Sequence, residues 1–98
     1  SFAVPRFSSA TKTAQEAKVQ ADIRTISNAA ALYEIDHGVF PASIDDLVTK
    51  DSDGKQYLQF KPLTPDKGEY QIADGVVSAD YNNKHFSSDA ASAQEGKG

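Results

Sequence analysis

The chain has 98 residues, 39% of them hydrophobic, and a formal net charge of -4. One domain is the most such a length supports, burying about 60–65% of the surface its unfolded form exposes, and its twenty Leu, Ile, Val and Phe residues point to a slim core that other subunits would complete. Zero Cys excludes disulfides, thiolate metal sites and Cys nucleophiles; a pI near 4.9 argues against nucleic acid as a partner, and no apolar run approaches the roughly 20 residues of a membrane helix.

The chain opens abruptly on Ser1-Phe2-Ala3-Val4, which reads as the cut end of something longer. No Gly occurs before Gly38, and the stretch is rich in Ala, Gln, Lys, Glu, Arg and Ile, mostly good helix formers. One helix is predicted over residues 5–37, about 45–50 Å long, with Pro5 in its first turn or at a kink and Gly38 at its C′ position. Two seams run along it. Ala3, Phe7, Ala10, Ala14, Ala17 and Ala21 fall on one face, spaced four and three alternately. Val19, Ile23, Ile26, Ala30, Tyr33 and His37 repeat that spacing on nearly the opposite face. The bulky seam is expected to cover the domain's own core, which Phe40 also joins. The alanine seam offers close helix approach and little area. It suits either a helix end fraying into water or a stalk that packs on other helices. Lys12/Glu16 and Lys18/Asp22, each four apart, are expected to pair weakly on a solvated surface.

Gly38-Val39-Phe40-Pro41 reads as a turn. Ser43 is the expected cap of a short helix over 44–49, with Asp46 completing a capping box and Leu47 and Val48 facing inward. Asp51-Ser52-Asp53-Gly54 is a polar loop. Tyr57-Leu58-Gln59-Phe60 is rich in strand formers, and residues 62–68 make a long turn. Glu69-Tyr70-Gln71-Ile72 and Val76-Val77-Ser78-Ala79 flank Ala73-Asp74-Gly75, a hairpin signal. A short edge strand is expected from Tyr81 to Phe86, and 87–98 form a polar tail or loop. One long helix followed by a small antiparallel sheet is α+β.

Catalytic signals are few. His37 suits the dipole at a helix end, and His85 lies among Asn82, Asn83 and Lys84. Forty-eight residues apart and without spaced partners, the two do not form a zinc site. No nucleophile elbow and no nucleotide-cradling glycine loop occurs. Asp51-x-Asp53-Gly54 resembles the opening of a calcium loop, but the twelfth position is Pro62 rather than Glu. Asp45/Asp46 and Asp66/Glu69 read as cap and turn residues. The chain is not expected to be an enzyme.

The residues Ala3-Val4-Pro5-Arg6-Phe7, the block Leu32-Tyr33-Glu34-Ile35-Asp36-His37-Gly38-Val39-Phe40-Pro41 with Leu47 beyond it, and Pro62-Leu63-Thr64-Pro65-Asp66 before Gly68-Glu69-Tyr70-Gln71 are similar to the type IV pilin and type II secretion pseudopilin superfamily. The resemblance covers about residues 3–81. It implies a single pilin-like domain: long helix 1–37; turn, short helix and loop 38–56; sheet 57–86; polar tail 87–98. It implies further that about 20 apolar residues precede Ser1, that a peptidase processes the precursor just before them, and that they anchor the subunit in the bacterial inner membrane before assembly. Members of that family close their C-terminal region with a disulfide or, in major pseudopilins, hold calcium there. This chain lacks the cysteines; Ser87-Ser88-Asp89 and Glu95-Gly96 offer oxygens for calcium, with Ser88 and Asp89 as the candidate ligands, without the family's Asp-Gly pairing. No other cofactor is expected.

The function so implied is structural: a filament subunit of the cell envelope whose partners are copies of itself and other pilin-like subunits, with Ala3, Phe7, Ala10, Ala14, Ala17 and Ala21 as its assembly face. The alternative is a small helix-plus-sheet binding or adhesion module that dimerises through the long helix.

Overall fold

The glycine-free stretch is one helix. The computed structural model describes residues 3–89, with side chains from Thr11 onward; helix α1 runs Ala3–His37, 35 residues or about 52 Å. It stops at Gly38, whose φ of +82° is left-handed and whose N–H donates to the Glu34 carbonyl at 2.7 Å, the bond that closes an αL cap.

Helix α2 is shorter than expected, Asp45–Val48. Ser43 does not cap it. The N-cap position is Ile44, with helical φ and ψ and no side-chain cap. The first turn is instead tightened by Asp46 N–H to the Ser43 carbonyl at 3.2 Å. The Asp46 carboxylate reaches back to accept the Ala42 N–H at 3.0 Å, so half of the expected box forms, one residue out of place. Leu47 is fully buried and Val48 half-buried.

The expected strand at Tyr57-Leu58-Gln59-Phe60 is absent. The Tyr57 and Leu58 N–H groups both donate to the Leu47 carbonyl at 2.9 Å. A helix end leaves its last carbonyls without intrahelical donors, and this segment supplies them instead of joining the sheet. Phe60 points outward, 71% exposed.

The sheet has three antiparallel strands in the order β1, Gln71–Ala73; β2, Val76–Tyr81; β3, Lys84–Ser87. Asp74 and Gly75 turn between β1 and β2 with φ of +50° and +83°, the left-handed pair that a two-residue hairpin requires. Asn82 and Asn83 repeat that geometry at +57° and +63°. Tyr81 therefore ends β2 rather than opening the edge strand. Upstream, Leu63 and Glu69 form a lone bridge.

Val19, Ile23, Ile26 and Ala29 of α1 form one buried cluster with Ile44 and Leu47 and with Tyr70, Val77, Ala79 and Phe86; Ala30 is buried as well. Tyr33 is half-buried against this cluster. Phe40 is not in the core. It remains 40% exposed, because the chain leaves the helix at Gly38 and lays the ring over the β1–β2 turn. A Cβ on Gly75 would come within 2.7 Å of the Phe40 ring.

Ile26→Asp should unfold the domain, since it buries an unpaired charge at a cost of several kcal/mol. Ala14→Asp, at an exposed position, should leave it folded. Circular dichroism melts of the two variants check this; equal losses would contradict the assignment of the two faces.

Candidate assembly interface

Polar contacts at three levels of α1 decide which of its faces is covered. At the lower level the Tyr81 hydroxyl donates to Gln15 at 2.9 Å, and Glu16 accepts from Asn82 at 2.8 Å and from Lys84 at 2.9 Å. Midway, Asp22 accepts from the Tyr70 hydroxyl at 2.6 Å and from Lys18. Lys18 also donates to the Leu63 carbonyl at 2.9 Å. At the upper end Asp36 accepts from Lys55 and from the Tyr57 hydroxyl at 2.7 Å. His37 stacks on Tyr33, ring centroids 4.0 Å apart, with its Nε2 3.6 Å from Asp51.

These partners perturb the groups they hold. The Asn82 and Lys84 hydrogen bonds keep the Glu16 carboxyl below its ordinary value. Lys55, then Tyr57, does the same for Asp36, and Asp36 in turn raises Lys55. The bond to Asp36 pushes the Tyr57 hydroxyl up to about 12. Burial, reinforced by Asp22, raises Tyr70. Glu16 thus differs from its sequence reading: it ties the helix to the β2–β3 turn instead of pairing with Lys12 on a solvated surface. The Lys18–Asp22 pair forms as expected.

With the domain held on that side, the opposite face is open. Ala14, Ala17 and Ala21 are all exposed. Ala3, Phe7 and Ala10 of the same seam lie in the part of α1 whose side chains are outside the described residues. The open face also continues upward, which sequence reasoning missed. Leu32 is 56% exposed and Ile35 74%, and at 100° per residue both fall on the alanine meridian. Val39, 63% exposed, stands just past the helix end. The signal was present in the three-residue step from Leu32 to Ile35.

The remaining candidates are occupied locally. Ser88 Oγ accepts the Val77 N–H at 3.0 Å, and the Asp89 N–H donates to Ser87. Asp51 Oδ1 accepts the N–H groups of Asp53 and Lys55, both at 2.9 Å, the bonding of an Asx turn. Lys61 bridges Asp45 and Glu69 at 3.1 and 3.3 Å. His85 pairs with Asp80 at 2.7 Å on the surface. Among the described residues no three His, Cys, Asp or Glu side chains are placed to share a metal ion, and no helix is long and apolar enough to cross a membrane. No known protein family, curated protein or solved structure matches the chain, so the open face of α1 carries the functional argument.

Glu16 and Asp36 titrate below their ordinary 4.5 and 3.8 in the folded chain. Their contribution to stability is present at neutral pH and lost as pH falls through the folded values. Glu16→Gln should therefore lower the melting temperature at pH 7, and the gap to the parent should narrow as pH drops from about 5 toward 3. A gap independent of pH would contradict the Glu16 tether.

Proposed function

We propose that the chain is the soluble domain of a pilin-like structural subunit, of a type IV pilus-like or type II secretion pseudopilus filament in the bacterial cell envelope. It polymerises through α1 and turns over no substrate. The observation that carries this reading is the asymmetry of α1: its domain clasps one side, while the opposite side is uncharged at Ala14, Ala17, Ala21, Leu32 and Ile35 and open to water.

The mechanism is mechanical. Small side chains let neighbouring helices approach to about 8 Å. A head-to-tail contact that does not close on itself propagates as a filament, so a modest energy per interface is repeated at every subunit. In this reading an apolar segment ahead of Ser1 holds the subunit in the inner membrane before assembly, and the partners are further copies or related subunits. The sheet and loops, turned away from α1's open face, form the outer surface.

In a subunit carrying that apolar segment, Ala14→Trp or Ala17→Trp should abolish filaments, because the indole holds neighbouring helices apart. The soluble chain bearing the same change should melt as the parent does. Electron microscopy of filament yield beside a thermal melt tests both halves. Normal filaments from Ala14→Trp would overturn the proposal and leave a binding module that dimerises elsewhere on its helix.

A further inference from the structure

His37 ends α1 with both ring nitrogens facing acceptors. Nδ1 lies 3.1 Å from the Tyr33 carbonyl oxygen, and Nε2 lies 3.6 Å from Asp51 Oδ2. A carbonyl and a carboxylate only accept hydrogen bonds, and a neutral imidazole carries a single N–H. Either neutral tautomer therefore leaves one ring lone pair facing another acceptor. Only the imidazolium, which donates from both nitrogens, satisfies both contacts. The His37 and Asp51 side chains are 31% and 23% exposed, so water does not freely replace what the neutral ring gives up.

Asp51 organises the polar loop on the other side of this contact. Its Oδ1 accepts the Asp53 and Lys55 N–H groups. Its own N–H donates to the Lys55 carbonyl at 2.8 Å, and its carbonyl accepts the Gly54 N–H at 2.9 Å. Farther along, Lys55 and the Tyr57 hydroxyl reach Asp36, and the Tyr57 N–H reaches the Leu47 carbonyl at the end of α2. The segment 51–57 thus joins the ends of the two helices. We propose that His37 is a proton-operated latch between the end of α1 and this segment. Protonated, it holds Asp51; on losing the proton it keeps the closer Tyr33 carbonyl and releases Asp51. The latch does not depend on what covers the open face of α1.

The groups around the ring set the sign and isolate the effect. On α1 they are Tyr33, stacked at 4.0 Å, and Asp36. On the loop they are Asp51, Asp53, Lys55 and Tyr57, whose ring meets His37 edge-on at 6.0 Å. Three carboxylates against one ammonium, at the negative end of the helix dipole, suit a cation there. Asp36 is held below its ordinary 3.8, Lys55 is raised above 10.5 and Tyr57 is pushed up to about 12. None of these three changes charge between about pH 5.5 and about pH 8, the range in which an imidazole does. The latch is therefore closed at the acidic end of that range and open at the alkaline end.

The chain has two histidines, so the effect can be assigned. Amide hydrogen exchange at Asp53 and Lys55, whose N–H groups rest on Asp51, is followed in the folded chain at both ends of the range and corrected for the intrinsic rate at each pH. Protection should fall by at least about threefold from the lower to the higher pH. His37→Gln should flatten it. Asp51→Asn keeps an oxygen for the two loop N–H groups and offers an N–H to the unprotonated Nε2, so its protection should hold or rise with pH. His85→Gln, which removes the ring paired with Asp80, should leave the parent's fall intact. Protection that does not change with pH in the parent overturns the latch. So does a fall that persists in His37→Gln or Asp51→Asn, or one that disappears in His85→Gln. If His37→Gln does not fold, Asp51→Asn decides alone.

Discussion

The roll of α1 about its own axis is held by contacts along a single side: Val19, Ile23, Ile26 and Ala29 against the sheet and α2, flanked by Gln15, Glu16, Asp22 and Asp36 bound to Tyr81, Asn82, Lys84, Tyr70, Lys55 and Tyr57. A small domain has too little chain to surround a helix of 35 residues. Once the roll is set, everything else follows from which residues are left facing away. The apolar seam supplies the energy, because burial scales with area. The polar ties supply the angle, because hydrogen bonds are directional.

Those ties also engage Glu16, Asp22 and Asp36, the acidic side chains of α1 that face the domain. Carboxylates that by composition alone could form acid–base pairs are engaged with hydroxyls, ammonium groups and backbone N–H groups. Asp22 with Tyr70 is the clearest case: the partners are 48 residues apart in sequence, and the phenol's burial raises its own pKa. A buried hydroxyl needs a hydrogen-bond partner, and the helix provides one at the level where the sheet crosses it. The chemistry of this surface is thus that of fastening.

Much of this architecture is legible in the amino-acid order. The extent of α1 follows from its 3.6-residue period and from Gly38, and its buried seam from the bulk of Ile23 and Ile26. Asp74-Gly75 announces its hairpin because few other pairs adopt two left-handed conformations in succession. The misreadings share a cause in long-range demand. Tyr57 and Leu58 have strand propensity, but the open Leu47 carbonyl claims their N–H groups. Glu16 has Lys12 four residues before it, yet is bound by Asn82 and Lys84 from 66 and 68 residues away. Phe40 looks like core by composition, and the turn at Gly38 carries it to the rim. Asn82-Asn83 is the one local turn signal that the strand reading passes over. On the candidate face, the alanines are evident from spacing. Leu32 and Ile35 are not, because whether a bulky helical residue is covered depends on where the rest of the chain lies.

The central claim is that the face of α1 turned away from the domain is the face that assembly covers. Thiol labelling of single cysteines tests it, with Ala17→Cys and Ile35→Cys on the open face and Gln71→Cys on β1 as reference, each compared between the soluble chain and the assembled filament. The account predicts that labelling at the two helix positions slows by at least about tenfold on assembly, as access of the reagent to the thiol is lost, while the β1 position reacts as before. Equal labelling of the helix positions in both states would contradict it.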